Sequence, residues 1–160
     1  MANIYQINVK PQTPGERGLP KIPVDAARVT LHGLEGDFNR YREEKCGGRE
    51  DHALLILPLE MIVMLNREGW PIQPGDIGEN ITSKGIPYDD FSIGSRYQCG
   101  EIQFEISEPA NPCGNLKLLA YVGQERWPEF RKVMLARRGL YARVLKEGMI
   151  KKNDAIIKIV

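Results

Sequence analysis

Hydrophobic and polar residues alternate along several short stretches of the chain, and this period of two is typical of strands with one buried face. The alternation is strictest at residues 102–106, which follow a turn at Gly100 and face a second strand at residues 96–99. Residues 4–9 alternate in the same way. Further strands are predicted at residues 27–31, 53–57, 140–145 and 155–160. The pattern therefore predicts a mainly β protein.

Two stretches have the longer period of a helix. One begins at Pro58, which suits the first turn of a helix, and stops at Gly69. The other begins at Pro128 and stops at Gly139. Because strands and helices do not alternate as βαβ units, we expect a closed or nearly closed mixed β-barrel with two or three peripheral helices. We expect one domain over residues 1–160.

Composition removes several classes of function. The formal charge is +1 and aromatic residues are few, so nucleic acid is not an expected partner. No phosphate-binding glycine motif is present. The three cysteines, Cys46, Cys99 and Cys113, lack Cys-x-x-Cys spacing, which argues against a disulfide framework and a zinc ribbon. Without a signal peptide or an apolar run of membrane length, we expect a soluble cytoplasmic protein and no membrane partner.

Cys113 is the main candidate for chemistry. Pro112 precedes it and Gly114 follows it, so the cysteine lies in a loop after a predicted strand, where a ligand can approach the sulfur. A single free cysteine usually behaves as a small buried hydrophobe, and that alternative stays open. A presented thiolate could ligate a soft transition metal or carry sulfur as a persulfide. His32 and His52 lie in unrelated contexts, so a Cys-His hydrolase has no support from the sequence.

Two other loops concentrate polar side chains. Residues 33–37 contain Asp37 after two glycines that allow a tight turn, and residues 74–82 contain Glu79 and Asn80. Such residues could orient a ligand, but they are also common in ordinary turns. If Lys21 or Arg49 approaches Cys113, the positive charge will favour its thiolate form.

These segments also carry a resemblance to a known family. Residues 33–37, the Gly47-Gly48 pair, residues 74–82 and Pro112-Cys113 occur in the order found in MOSC domains, the C-terminal domains of molybdenum cofactor sulfurases. The resemblance runs from about Val9 through Gly148 and implies a barrel-like, mainly β fold with peripheral helices. It implies that Cys113 carries sulfur or ligates the molybdenum of a pterin cofactor. The cofactor-binding residues it suggests are Lys21, for the phosphate, together with Asp37, Arg49, Glu79 and Asn80.

The resemblance implies two functions. One is reduction of N-hydroxylated small molecules at a molybdenum centre, with electrons from a separate protein. The other is a carrier without turnover of its own, which receives sulfur from a cysteine desulfurase in trans, holds it as a persulfide on Cys113 and delivers it to a metal-sulfur cofactor. We expect no pyridoxal phosphate on this chain. Cys46 stands where many members of the family have histidine, and Asn153-Asp154 replaces their usual Gly-Asp turn.

Overall fold

The structure is a computed structural model, and it describes residues 1–11, 19–38 and 50–160. Within these residues the chain forms mainly strands, with two α-helices, α1 (Leu59–Arg67) and α2 (Gly123–Met134). Short 3-10 helices cover Glu50–His52, Tyr88–Asp90 and Gly114–Leu118. The strands are β1 (Asn3–Val9), β2 (Ile22–Val24), β3 (Ala26–Thr30), β4 (Gly33–Leu34), β5 (Leu54–Pro58), β6 (Ile81–Lys84), β7 (Arg96–Cys99), β8 (Ile102–Pro109), β9 (Leu140–Lys146), β10 (Gly148–Lys151) and β11 (Ile156–Lys158).

Eight strands form one mixed sheet in the order β11-β7-β8-β9-β5-β6-β1-β2. Strands β5 and β6 run parallel, whereas the other described neighbours in this sheet run antiparallel. Helix α1 lies in the connection between β5 and β6, since a parallel pair needs a crossover. The prediction of a mainly β fold with mixed strand pairing and two helices is confirmed.

The expected closed barrel is not found among the described strands, because three of them pair separately. After Lys146 the chain turns at Gly148 into β10, and β10 pairs with β3 rather than with the large sheet. The result is a second sheet in the order β10-β3-β4. The start of β1 still reaches the last strand of the large sheet: Ile4 N donates to Asp154 O over 2.9 Å, and Ile156 N donates to Ala2 O over 2.9 Å.

The interior has two main apolar clusters. The first lies among the strands and includes Ile7, Val29 and Phe104. The second packs the helices against the large sheet and includes Leu65 and Phe130. The alternation predicted for β8 is confirmed, because its inward residues are fully buried. None of the helices in the described part of the chain is long and apolar enough to cross a membrane.

Helix α2 begins earlier than the sequence predicts. Pro128 lies inside the helix, which starts at Gly123. Arg126 N donates to Val122 O and Gly123 N donates to Leu119 O, so helical bonding already exists before the proline. Proline has no N–H group, so at Pro128, inside the helix, the backbone hydrogen bond to the carbonyl four residues earlier is missing. The proline therefore marked the first part of the helix and not its first residue.

Candidate functional site

Cys113 lies where the long strand β8 has ended and a 3-10 helix begins. It is the N-cap of the helix Gly114–Leu118, in an extended conformation, and its carbonyl accepts a hydrogen bond of 3.1 Å from Leu116 N. Leu116 is fully buried and anchors the loop. A Cβ built on Gly114 would meet nothing within 4 Å, so the space beside the cysteine is open. The local sequence thus fixes the backbone and leaves room for a ligand.

The burial of the two described cysteines separates their roles. Cys113 is half-buried, whereas Cys99 is completely buried in the strand core. Burial, together with the charge of Asp154, raises the pKa of the Cys99 thiol to about 12. Cys99 therefore stays protonated and inert, and Cys113 is the thiol that a small molecule can reach.

A pocket of about 280 Å³ opens at Cys113. The end of β8 and the start of β9 form one side of it, with Glu108 opposite Tyr141 and Pro109 opposite Leu140 in the strand register. The cysteine loop forms another side. The described lining residues are Glu108, Pro109, Asn111, Pro112, Cys113, Arg138 and Tyr141.

Arg138 connects this pocket to the polar loop at residues 74–82. Its Nη1 donates to Asn111 O over 2.8 Å, and its Nη2 donates more weakly to Ile77 O over 3.4 Å. The residue is 8% exposed. Its Nε is buried without an acceptor among the described residues. Arg138 therefore brings a positive charge to Cys113 and holds two loops together.

His52 also reaches the pocket wall. Its Nε2 contacts Glu108 Oε1, and its ring stacks on Tyr141 at 3.9 Å between centroids and 16° between planes. The imidazole is 6% exposed, and its Nδ1 has no partner among the described residues. The pair places a group able to exchange protons, Glu108, beside the thiol.

Three of the predicted binding residues come together elsewhere. Lys21 Nζ pairs with Asp37 Oδ2 over 2.7 Å, and both side chains are buried. Asn80 Nδ2 donates to the same Asp37 oxygen over 2.8 Å. Asn80 also accepts a hydrogen bond from Leu55 N through Oδ1. The described lining of the Cys113 pocket contains none of Lys21, Asp37 and Asn80, and within their cluster Asp37 neutralises Lys21.

Glu79 is a buried residue of the loop at residues 74–82 and hydrogen-bonds within that loop. It is fully buried, and its Oε1 accepts hydrogen bonds from Gly75 N (2.6 Å) and Thr82 Oγ1 (3.0 Å). Its Oε2 has no partner in the described part of the chain. Burial raises the pKa of Glu79 to about 7, and the charge of Asp76 adds to the increase. The carboxyl group therefore changes its protonation close to neutral pH.

Two residues named in the sequence analysis, Cys46 and Arg49, lie outside the described residues. Conversely, the sequence analysis gave no role to His52 and did not single out Arg138. His52 and Glu108 are 56 positions apart, and no local motif links them. The pairing of β8 with β9 places Glu108 opposite Tyr141, and His52, from the 3-10 helix before β5, contacts both of them.

The donor atoms decide what the site could hold. In the described residues no three His, Cys, Asp or Glu side chains cluster in a way that could hold a metal ion. A single thiolate fits a metal that arrives with its other ligands already attached, as in a cofactor. The buried Arg138 fits an anionic part of such a cofactor. The described residues are thus compatible with a metal that arrives in a cofactor.

Comparison with known proteins agrees with this geometry. The MOSC domain family matches residues 43–157, and the chain belongs to this family. Protein YiiM of Escherichia coli (strain K12) is 33% identical over 104 residues, covering 61% of this chain and 45% of YiiM. YflK of Bacillus subtilis (strain 168) is 27% identical over 139 residues, covering 84% of this chain and 60% of YflK.

A solved structure shows the same fold. The crystal structure of YiiM from Geobacillus stearothermophilus superposes with a TM-score of 0.74 at 28% identity, over 100% of this chain and 76% of that one. This chain thus spans less than two thirds of the curated relatives and about three quarters of the solved structure.

Proposed function

We propose that this protein binds the molybdenum cofactor through Cys113 and reduces N-hydroxylated compounds. The observation that carries the proposal is the half-buried Cys113 thiol at the mouth of a 280 Å³ pocket that also contains Arg138. Membership of the MOSC family, which is named for molybdenum cofactor sulfurases, supports the choice of cofactor. When bound, the cofactor would supply a redox-active metal centre.

The residues of this chain would bind the cofactor and deliver protons. The Cys113 thiolate would be the protein ligand of the metal, and the 3-10 helix after it would fix the direction of the sulfur. Arg138 would bind an anionic oxygen. Reduction of an N–OH group to N–H consumes two protons and releases water. Glu108, held by His52, is the described carboxyl group at the pocket that could deliver a proton to the departing oxygen.

The reaction also needs an electron donor. We propose that an electron-transfer protein in the cytoplasm supplies the electrons. The substrate would be a small molecule, since the pocket has about the volume of a small ligand site.

A second candidate function is sulfur carriage. The open space beside Gly114 favours it, because a persulfide extends beyond the cysteine by one sulfur atom. Cys113 would attack the outer sulfur of a persulfide on a cysteine desulfurase. The S–S bond of the donor would break, a new S–S bond would form on Cys113, and the donor cysteine would leave as a thiolate. The same pocket would then shield the carried sulfur.

Elemental analysis for molybdenum tests the first proposal. The protein would be purified without oxygen from cells that make the cofactor, alongside Cys113→Ala and the control Cys99→Ala, which keeps the reachable thiol. We expect near-stoichiometric molybdenum in the parent and the control, and none in Cys113→Ala. An absence of molybdenum from the parent would refute the cofactor proposal. A persulfide mass on Cys113 after incubation with a cysteine desulfurase would then support the carrier.

A further inference from the structure

Two helical segments that pack on each other both connect to the Cys113 pocket. The 3-10 helix Gly114–Leu118 begins directly after Cys113, and helix α2 is followed by the turn that contains the pocket residue Arg138. Buried Leu116 and Phe130 belong to one apolar cluster, so the two segments share a core. A protein that exchanges electrons with a centre held by Cys113 has to approach closely, and the outer surface of these segments lies beside its path.

This outer surface carries two cations without a carboxylate partner. Lys117, near the end of the 3-10 helix, is half-buried, and its Nζ lies 5.8 Å from the centre of the Trp127 ring. Arg131 is exposed and follows Trp127 by four residues on α2, so these two side chains share one face of the helix. The ion pairs within the described part of the chain include neither Lys117 nor Arg131.

The acidic residues of α2 lie on its other side. Glu125 and Glu129 are four residues apart, so they share a face that is nearly opposite the face of Trp127 and Arg131. On that side Glu129 already pairs with Arg126 over 3.4 Å. An excess of positive charge therefore remains on the side of α2 that meets Lys117.

Apolar side chains lie beside the two cations. Leu118 is 42% exposed, and the large ring of Trp127 is only half-buried. Surfaces that bind other proteins are enriched in aromatic residues and arginine. We call the surface formed by Lys117, Leu118, Trp127 and Arg131 the basic face.

We propose that the basic face docks an acidic electron-transfer protein beside the Cys113 pocket. Carboxylates of the partner would pair with Lys117 and Arg131, and an apolar side chain at the centre of its patch would cover Leu118. Such charge complementarity orients the encounter and raises the rate of association. The inference rests on the proposed reductase function and names the surface and the charge of the partner which that function requires.

The composition of the basic face favours an electron carrier as the partner. A carrier of electrons has to leave after each transfer, and such encounters have small, weakly held interfaces. The basic face fits this description, because it has two unpaired cations and few exposed apolar side chains. Exposed charges are screened by salt, so a complex held by Lys117 and Arg131 should weaken strongly as the ionic strength rises.

Binding of a plant-type ferredoxin, a small acidic electron-transfer protein, to the protein without cofactor tests the inference. Calorimetric titration would give the Kd at two ionic strengths, and we expect it to rise at least about tenfold between about 0.05 and about 0.5 M. A carbodiimide, which joins lysine amines to carboxylates that touch them, would then locate the contact. Peptide mass spectrometry should find Lys117 joined to a ferredoxin carboxylate at low ionic strength.

Three charge reversals identify the surface responsible. Lys117→Glu and Arg131→Glu should each raise the Kd at low ionic strength about fivefold, because each replaces an attraction by a repulsion. Lys151→Glu is the matched control: Lys151 is an exposed lysine on β10 of the smaller sheet, and its reversal changes the net charge equally. The control should keep the Kd of the parent. Near-ultraviolet circular dichroism shows whether each variant is folded.

Three results would overturn the inference. One is a parent protein that does not bind ferredoxin at low ionic strength, a measurement that needs no variant. Another is folded Lys117→Glu and Arg131→Glu proteins that bind like the control. The third is a parent that binds a cysteine desulfurase through the basic face and does not bind ferredoxin, which would favour the sulfur carrier. Since docking is measured without cofactor, molybdenum in a parent that fails to dock would leave the cofactor proposal standing and remove only the docking surface.

Discussion

The buried carboxyl group of Glu79 predicts how the stability of the protein depends on pH. In the unfolded chain this group titrates near its ordinary pKa of 4.5, and in the folded protein burial raises the pKa to about 7. Between these values the folded state binds more protons than the unfolded state. Stability therefore falls as the pH rises through this window and stays lowered above it.

The size of the effect follows from the shift. A shift from 4.5 to about 7 corresponds to about 3 kcal/mol over the whole window. Between about pH 5 and about pH 8 the ionisation of Glu79 lowers the free energy of unfolding by about 2 kcal/mol, since part of the whole change occurs below pH 5. Glu79→Gln keeps an oxygen for the Gly75 and Thr82 donors and cannot ionise. This variant should lose that part of the pH dependence.

Urea unfolding at the two pH values measures the effect as a difference of differences. The free energy of unfolding of the parent should fall by about 2 kcal/mol more than that of Glu79→Gln. Glu129→Gln is the control, because Glu129 is an exposed carboxylate on α2 and its loss should leave the pH profile unchanged. Equal pH profiles for the parent and Glu79→Gln would refute the reasoning that burial controls this group.

Three further outcomes are expected. In the folded protein Cys113 should react with iodoacetamide while Cys99 stays unmodified, and rapid labelling of Cys99, seen by peptide mass spectrometry, would contradict its complete burial. Phe130→Ala should lower the free energy of unfolding by about 3 to 5 kcal/mol in urea, because the ring is fully buried between the helices and the sheet, and a loss below about 1 kcal/mol would refute that packing. In thermal unfolding, Gly139→Ala should destabilise the protein more than Gly36→Ala. Both glycines have positive φ, but only at Gly139 would a Cβ lie 2.7 Å from a backbone carbonyl of β5. Equal losses of stability in the two variants would contradict this contact.

The sequence predicted the strands in which buried and exposed residues alternate strictly. It did not predict the strand and the sheet that form only through pairing between distant segments. Residues 102–106 alternate because one face of β8 is buried, and the pattern is local. No strand was predicted at residues 148–151, since these four residues become β10 only through pairing with β3. That same pairing divides the strands into two sheets, which no local pattern could indicate. The predicted mainly β composition with mixed strands and two helices is therefore confirmed, whereas no closed barrel is found among the described strands.

For the candidate site too, local features could be predicted from the sequence, whereas contacts between distant residues could not. The Pro-Cys-Gly sequence was enough to predict a presented thiol, because it acts on its own backbone. The pairing of Lys21 with Asp37, 16 positions away, could not be foreseen, and a lysine in an ion pair looks in sequence like a lysine available to a phosphate. The charge of Arg138 was visible in the sequence, but its burial beside Cys113 was not.

The hydrogen bonds that join Ala2 and Ile4 to Ile156 and Asp154 have a consequence for how the chain folds as it is made. Synthesis runs from the N-terminus, so β1 and β3 leave the ribosome long before residues 148–156, which complete their pairing, exist. Contacts between such distant segments require large loops to close, and folding through them is slow. Until then the apolar faces of the first strands stay uncovered. The nascent chain is thus most open to aggregation, or to capture by a chaperone, before residues 148–156 have been made.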